Sequence, residues 1–180
     1  MLDAYKPAAG EFPRSFSPAI ALFSKGEAGS ATMSQNPFVL ATPGEAELKE
    51  VMVTTWPAPS GSIIFKINAE GLAVVHCGAL AAKPNVDELE ENLGHVDILI
   101  VPVGGGETLS AEDAAALVTA LEPRIVIPIA YQCDTNPKAR PVSEFIKELG
   151  LKPDITDKKI IIKKKDLPAE ETKLIVLEKS

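Results

Sequence analysis

Val96-Asp97-Ile98-Leu99-Ile100-Val101-Pro102-Val103, then Gly104-Gly105-Gly106, then a polar opening at Ser110, then Ile125-Val126-Ile127-Pro128-Ile129, is the stretch that decides the fold. The two outer runs are apolar at almost every place, as strands covered on both faces must be. Between them, Ser110 is placed to cap a helix, and Glu112 and Asp113 follow in its first turn, where negative charge suits the positive end of the helix dipole. Ala111, Ala114, Ala115, Val118 and Leu121 recur at helical spacing, and Pro123 ends the pattern. A strand, a helix and a second apolar strand in that order form a βαβ unit, which requires parallel pairing and a right-handed crossover.

Working upstream, residues 86–93 read as a short acidic helix closed by Gly94. Residues 62–67 alternate Ile63, Phe65 and Ile67, turn at Ala69-Glu70-Gly71 and continue as Leu72-Ala73-Val74-Val75, the clearest hairpin in the chain. Residues 48–54, 38–41 and 19–23 read as further strands, and residues 5–15, with Pro7 and Pro13, as a loop. Downstream, residues 142–149 form a helix stopped by Gly150, and residues 160–162 and 174–177 read as late strands. Hairpins first and helix-separated strands later predict a layered α/β or α+β sandwich, in a single domain over residues 1–180. Ile98, Ile100, Val118, Leu121, Ile125 and Ile127 are its expected core.

The composition narrows the function. With 46% apolar and 24% charged residues in 180, the chain can bury a sizeable core. No run reaches the roughly 18 apolar residues of a membrane helix, and the start, Met1-Leu2-Asp3-Ala4, has no signal character, which predicts a cytoplasmic protein without membrane contact. A net charge of −7 repels phosphate backbones, so nucleic acid is not an expected partner. Lys158-Lys159 and Lys163-Lys164-Lys165 flank Ile160-Ile161-Ile162 and read as solvated strand ends. Cys77 and Cys133 are too few and too far apart for a disulfide framework, and read as free thiols.

Two places invite a chemical reading. The Gly104-Gly105-Gly106 loop lies between a strand and a helix start, where backbone N–H groups can cradle an anion, yet it has neither dinucleotide nor Walker spacing and reads first as a tight connection. His76-Cys77 follows a strand end, but adjacent residues on an extended chain point to opposite faces, so His76 is placed poorly as a base for Cys77 and reads as structural.

Several segments together resemble a known family. Asp3-Ala4-Tyr5, Pro18-Ala19-Ile20-Ala21-Leu22-Phe23-Ser24, Pro37-Phe38-Val39-Leu40, His76-Cys77-Gly78-Ala79-Leu80, residues 96–105 and Glu122-Pro123-Arg124-Ile125-Val126-Ile127-Pro128-Ile129-Ala130-Tyr131 are similar to successive landmarks of metallo-β-lactamase-fold hydrolases of the L-ascorbate-6-phosphate lactonase type. The resemblance implies an αββα sandwich and, in its catalytic members, bound zinc or manganese. It also implies a hairpin ahead of the Asp3 landmark, and a chain without it would leave a sheet edge open to a second copy or another protein.

The ligand places that the resemblance assigns are filled differently here. Where the family has His-x-His-x-Asp-His after Ser24, this chain reads Lys25-Gly26-Glu27-Ala28-Gly29-Ser30. Ala79 stands in the place of a metal-bridging Asp, Ala130 in that of a His before Tyr131, and the region of Trp56-Pro57-Ala58-Pro59 in that of a His-Asp pair. The expected remnant cleft comprises Lys25, Glu27, Ser30, His76, Cys77, Ala79, Gly104, Gly105, Ala130 and Tyr131, with no catalytic residue, metal or cofactor assigned. A replacement metal site from His76, Cys77, Cys133 and Asp134 has only its strand-end location in its favour. The sequence therefore predicts a non-catalytic member that binds a small ligand or a protein, with a divergent hydrolase of a lactone, phosphoester or similar ester as the alternative.

Overall fold

A computed structural model of the chain describes residues 1–6, 17–156 and 159–178. The loop expected over residues 5–15 therefore lies largely outside the described residues, as does Lys158. Strands β1 (Ile20–Leu22), β2 (Phe38–Leu40), β3 (Gly44–Leu48), β4 (Val51–Pro57), β5 (Ile63–Ala69) and β6 (Leu72–His76) precede helix α1 (Val86–Leu93). They are followed by β7 (Ile98–Pro102), α2 (Ala111–Leu121), β8 (Ile125–Ile129), α3 (Val142–Leu149), β9 (Asp154–Thr156) and β10 (Lys173–Leu177).

Eight strands form one mixed sheet in the order β3-β4-β5-β6-β7-β8-β10-β9. The early strands β3 to β6 pair as antiparallel hairpins, and β6, β7 and β8 pair in parallel, as the apolar runs around α2 require. Ser110 caps α2 as expected, its hydroxyl accepting from the Asp113 N–H at 3.1 Å. The helices cover one face: Leu93, Leu117, Leu121 and Phe145 pack with Leu99, Val101 and Val126. On the other face, Leu22 and Leu40 of the parallel pair β1-β2 pack onto Val53, Ile63 and Phe65, so the second layer is a small sheet of its own. All three described α-helices belong to the first face. Met1 to Asp3 run along β1, with the Leu22 N–H donating to the Met1 carbonyl at 2.9 Å and the Asp3 N–H to the Leu22 carbonyl at 2.8 Å. The β1 edge is thus occupied by the chain's own first residues.

Five of the six expected core residues are buried; Ile100 is half-buried, because it lies beside Val74 on the less thickly covered face. Two strand assignments need correction. Residues 48–54 are not one strand: Leu48 ends β3, Lys49 and Glu50 turn the chain at φ 52° and 62°, and residues 51–54 begin β4. That left-handed pair does the work usually given to Asn-Gly, so the turn carries no sequence signal. Residues 160–162 are not a strand either. The edge strand is β9, pairing in parallel with β10, while Ile160 and Ile162 pack over Ile98, Ile125 and Ile175.

Lys164 is exposed, as the solvated run predicts, but it also makes an ion pair that the sequence does not show. Its ammonium reaches both oxygens of Asp97 at 2.9 Å, and Asp97 is only 2% exposed. The same carboxylate accepts from the Ala73 N–H at 2.8 Å and lies 2.9 Å from His95 Nε2. Burial pushes the Asp97 carboxyl up, but the hydrogen bonds from Lys164, Ala73 and His95 outweigh it and hold the group below the usual carboxylate range. Stability from this cluster is therefore present above the unfolded-state value, about 3.9, and is lost as pH falls through the lower native value.

Two outcomes are expected. Glu50→Gly should raise stability by about 0.5–1 kcal/mol, because glycine occupies the left-handed region without strain; a loss in urea unfolding would count against the assigned turn. Lys164→Ala should cost about 1–3 kcal/mol at neutral pH by leaving a buried charged acceptor short of a donor. Because protonation of Asp97 removes the interaction, that loss should shrink in acid; an equal loss at both pH values would mean Lys164 acts through packing instead.

Candidate functional site

The ends of β1, β6, β7 and β8 meet at one end of the sheet, the place where parallel α/β sheets build their sites. At its base lies a buried polar cluster. Asp3 accepts from the Ser24 N–H at 2.6 Å and from the Ser24 hydroxyl at 2.8 Å, and Ser24 Oγ accepts in turn from the Ala79 N–H at 3.2 Å. His76 Nδ1 accepts from the Gly78 N–H at 3.0 Å, which leaves Nε2 to carry the proton, 3.6 Å from Asp3 Oδ2. A side chain on Gly78 would lie 2.3 Å from the Ser24 Cβ, so only glycine allows β1 and β6 to approach this closely.

Ser, His and Asp side by side suggest a nucleophile triad, but the connections are wrong for one. Ser24 donates to Asp3 and not to His76, and it is fully buried. Burial lowers the His76 pKa, against the opposing pull of Asp3. Burial therefore favours the neutral form of the His76 imidazole. Cys77 is also inside, and burial pushes its thiol up to about 12, far from a reactive thiolate.

Above this base is a cavity of about 380 Å³, lined among others by Lys25, Gly105, Gly106, Thr108, Asn136 and Lys138. Lys25 is positioned through its backbone, whose N–H donates to the Tyr5 hydroxyl at 2.9 Å, while that hydroxyl donates to the Gly26 carbonyl at 3.0 Å. The opposite wall is the segment after β8, folded back over β7: the Arg140 N–H donates to the Gly104 carbonyl at 2.7 Å and Asn136 Nδ2 to the Ala130 carbonyl at 3.1 Å. Gly104 has to be glycine, because a Cβ there would stand 2.2 Å from the Ala130 carbonyl oxygen.

Of the residues expected in the cleft, Lys25 and Gly105 line this cavity, and Gly104 and Ala130 pack against each other at its wall. His76 and Cys77 lie buried beneath, and Ala79 joins the base through its N–H. Glu27 is exposed on the loop after Lys25, where its carbonyl accepts from the Ser30 N–H, and Ser30 bridges to Tyr5. Tyr131 reaches away to β10, donating to the Leu177 carbonyl at 2.7 Å. Trp56 packs into the helix-side core. Sequence reasoning named Gly106 within the glycine loop but missed Lys138, Asn136 and Thr108; for the first two, the polar run just after an apolar strand end was the available signal.

A hydrolytic zinc site requires three or more N, O or S donors around an ion. Among the described residues, no group of three or more His, Cys, Asp or Glu could hold one, so the donor set does not fit a resident metal, and the group His76, Cys77, Cys133 and Asp134 forms no replacement.

The family follows from the fold and from the sequence together. The model of the beta-lactamase superfamily domain matches residues 2–130, and the chain belongs to that family. A UPF0173 metal-dependent hydrolase of Thermococcus onnurineus is 29% identical over 115 residues, covering 60% of this chain and 51% of the relative. A UPF0173 protein of Pyrococcus furiosus is 42% identical over 76 residues, covering 42% of this chain and 33% of the relative. The chain thus spans about half or less of the length of these curated relatives. In structure, it is similar to a candidate Zn-dependent hydrolase of the metallo-beta-lactamase superfamily from Thermotoga maritima, with a TM-score of 0.77, 23% identity and coverage of 92% of this chain and 84% of that one. That likeness shows the mixed α/β metallo-β-lactamase fold. No helix among the described residues is long and apolar enough to cross a membrane.

Burial makes one outcome specific. In the native protein iodoacetamide should modify half-exposed Cys133 and spare Cys77 until the chain is unfolded. Peptide mapping that found Cys77 labelled as fast as Cys133 would contradict the packing described for β6.

Proposed function

We propose that this chain is a metallo-β-lactamase-fold domain that works by binding a ligand in its strand-end cleft and does not hydrolyse through a resident metal. The donor set carries the proposal: Lys25, Ala79 and Ala130 stand where the family resemblance calls for ligands, and the two histidines of the whole chain are His76, buried and bonded to Gly78, and His95, bonded to Asp97. Two ions sharing a bridge need several donors each, oriented by their neighbours, and neither imidazole is free for that task.

A second reading has the comparisons on its side. Relatives named metal-dependent hydrolases favour a divergent hydrolase, acting on a lactone, phosphoester or similar ester through a different metal set, over a purely binding protein. The kinship to the lactonase branch in particular rests on the sequence landmarks alone.

Elemental analysis separates the two. Protein purified without chelators should carry no stoichiometric Zn, Mn or Fe, and Ala79→Asp combined with Ala130→His should gain no metal-dependent hydrolysis, because the first ligand motif would still be missing. Stoichiometric metal in the unaltered protein, together with an ester-cleaving activity abolished by chelation, would establish the hydrolase instead.

A further inference from the structure

We infer that the cavity between Lys25 and Lys138 is a binding site for a small oxyanion, of the phosphate or phosphoester class. The inference deepens the binding role proposed above and rests on it. Three observations meet at this place. Lys25, after β1, and Lys138, in the segment after β8, both line the cavity, and neither ammonium has a carboxylate within 4.0 Å among the described residues. Every ion pair found in the described chain employs other cations, so these two charges are free to serve a ligand.

The second observation is the backbone between them. Gly105 and Gly106 are consecutive left-handed residues, at φ 66° and 62°, in the loop after β7. Gly105 lends its N–H to the Leu109 carbonyl at 2.9 Å, while the N–H of Gly106 has no protein acceptor among the described residues. A backbone N–H left over in a glycine turn beside two ammonium groups is suited to a phosphate oxygen.

The third is the charge contrast. The chain as a whole carries −7, yet two cations and one carboxylate, Glu107, line this cavity, so the local sign is reversed. Arg140 stands at its rim, its Cγ 3.3 Å from where a Gly105 side chain would begin, and is held toward Glu144 at 3.7 Å. Lysines act on phosphate as point charges and do not require the fixed two-pronged geometry of an arginine fork. A volume of about 380 Å³ admits more than a bare phosphate and leaves room for a small organic remainder.

Titration with inorganic phosphate, followed by amide NMR on the full chain, tests the inference. Phosphate should shift the amides of residues 104–108 and 136–139, more weakly as salt rises, and acetate should do so far less. Lys25→Gln and Lys138→Gln should each weaken phosphate binding about tenfold, the loss of one charge-assisted contact, with an unchanged amide spectrum elsewhere confirming the fold. Shifts that map to Lys163 to Lys165 instead, or binding that survives in the double variant, would overturn it. Absence of phosphate binding in a metal-free protein would overturn the anion site and leave the binding role standing; stoichiometric metal with chelator-sensitive hydrolysis would overturn the binding role itself.

Discussion

The Asp3 carboxylate takes two hydrogen bonds from one residue, the N–H and the hydroxyl of Ser24, and thereby fixes the end of β1 where it crosses the end of β6. Hydrogen bonds to a charged acceptor contribute about 1.5–3 kcal/mol each, enough to hold a three-residue strand whose own pairing is slight. The crossing is so close that Ser24 fills the space where Gly78 would carry a side chain. Everything at the mouth of the cleft follows from it: Lys25 is the next residue after Ser24, and Ala79 and Leu80 are led from the same junction toward the loop after β7, where the Leu109 N–H donates to the Leu80 carbonyl.

The base of the cleft and its rim have different chemical characters. At the base, polar groups are satisfied by one another, and no buried side-chain nitrogen or oxygen is left without a partner among the described residues. His76 accepts from the Gly78 N–H through Nδ1, and burial favours its neutral form. At the rim, Lys25 and Lys138 are exposed, with no counter-charge within 4.0 Å among the described residues. Satisfaction below and unspent charge above is the arrangement of a rigid platform that presents a charged surface.

The fold was legible where packing follows periodicity. The apolar runs of β7 and β8, the Ser110 cap and the glycine stops after α1 and α3 each act through nearest neighbours in sequence, and all were placed by pattern. The turn at Lys49-Glu50 was hidden because its left-handed geometry is imposed by the pairing of β3 with β4 and not by the residue types. Lys164 is one of a solvated run, and its pairing with Asp97 was hidden because that partner is 67 residues away. The site was half legible for the same reason. Lys25 could be placed through its neighbours in sequence, but Lys138 joins it only because residues 136–140 fold back over β7, a contact between the Arg140 N–H and the Gly104 carbonyl that no local pattern records.

A metal ion and a pair of ammonium groups would give a cleft of this shape different chemistry. A bound dication both attracts an anion and lowers the pKa of a coordinated water to near 7, supplying a nucleophile at neutral pH. Two lysines supply the attraction without the second effect, since an ammonium offers no vacant coordination place and polarises water weakly. Nor does the base beneath them provide a substitute nucleophile, because Ser24 and Cys77 are fully buried, and the Cys77 thiol lies far above the range where thiolate forms. Under the binding role proposed above, such a cleft would hold an anionic group and leave its bonds intact, whereas the hydrolase reading requires a metal donor set other than the family ligand places filled here by Lys25, Ala79 and Ala130.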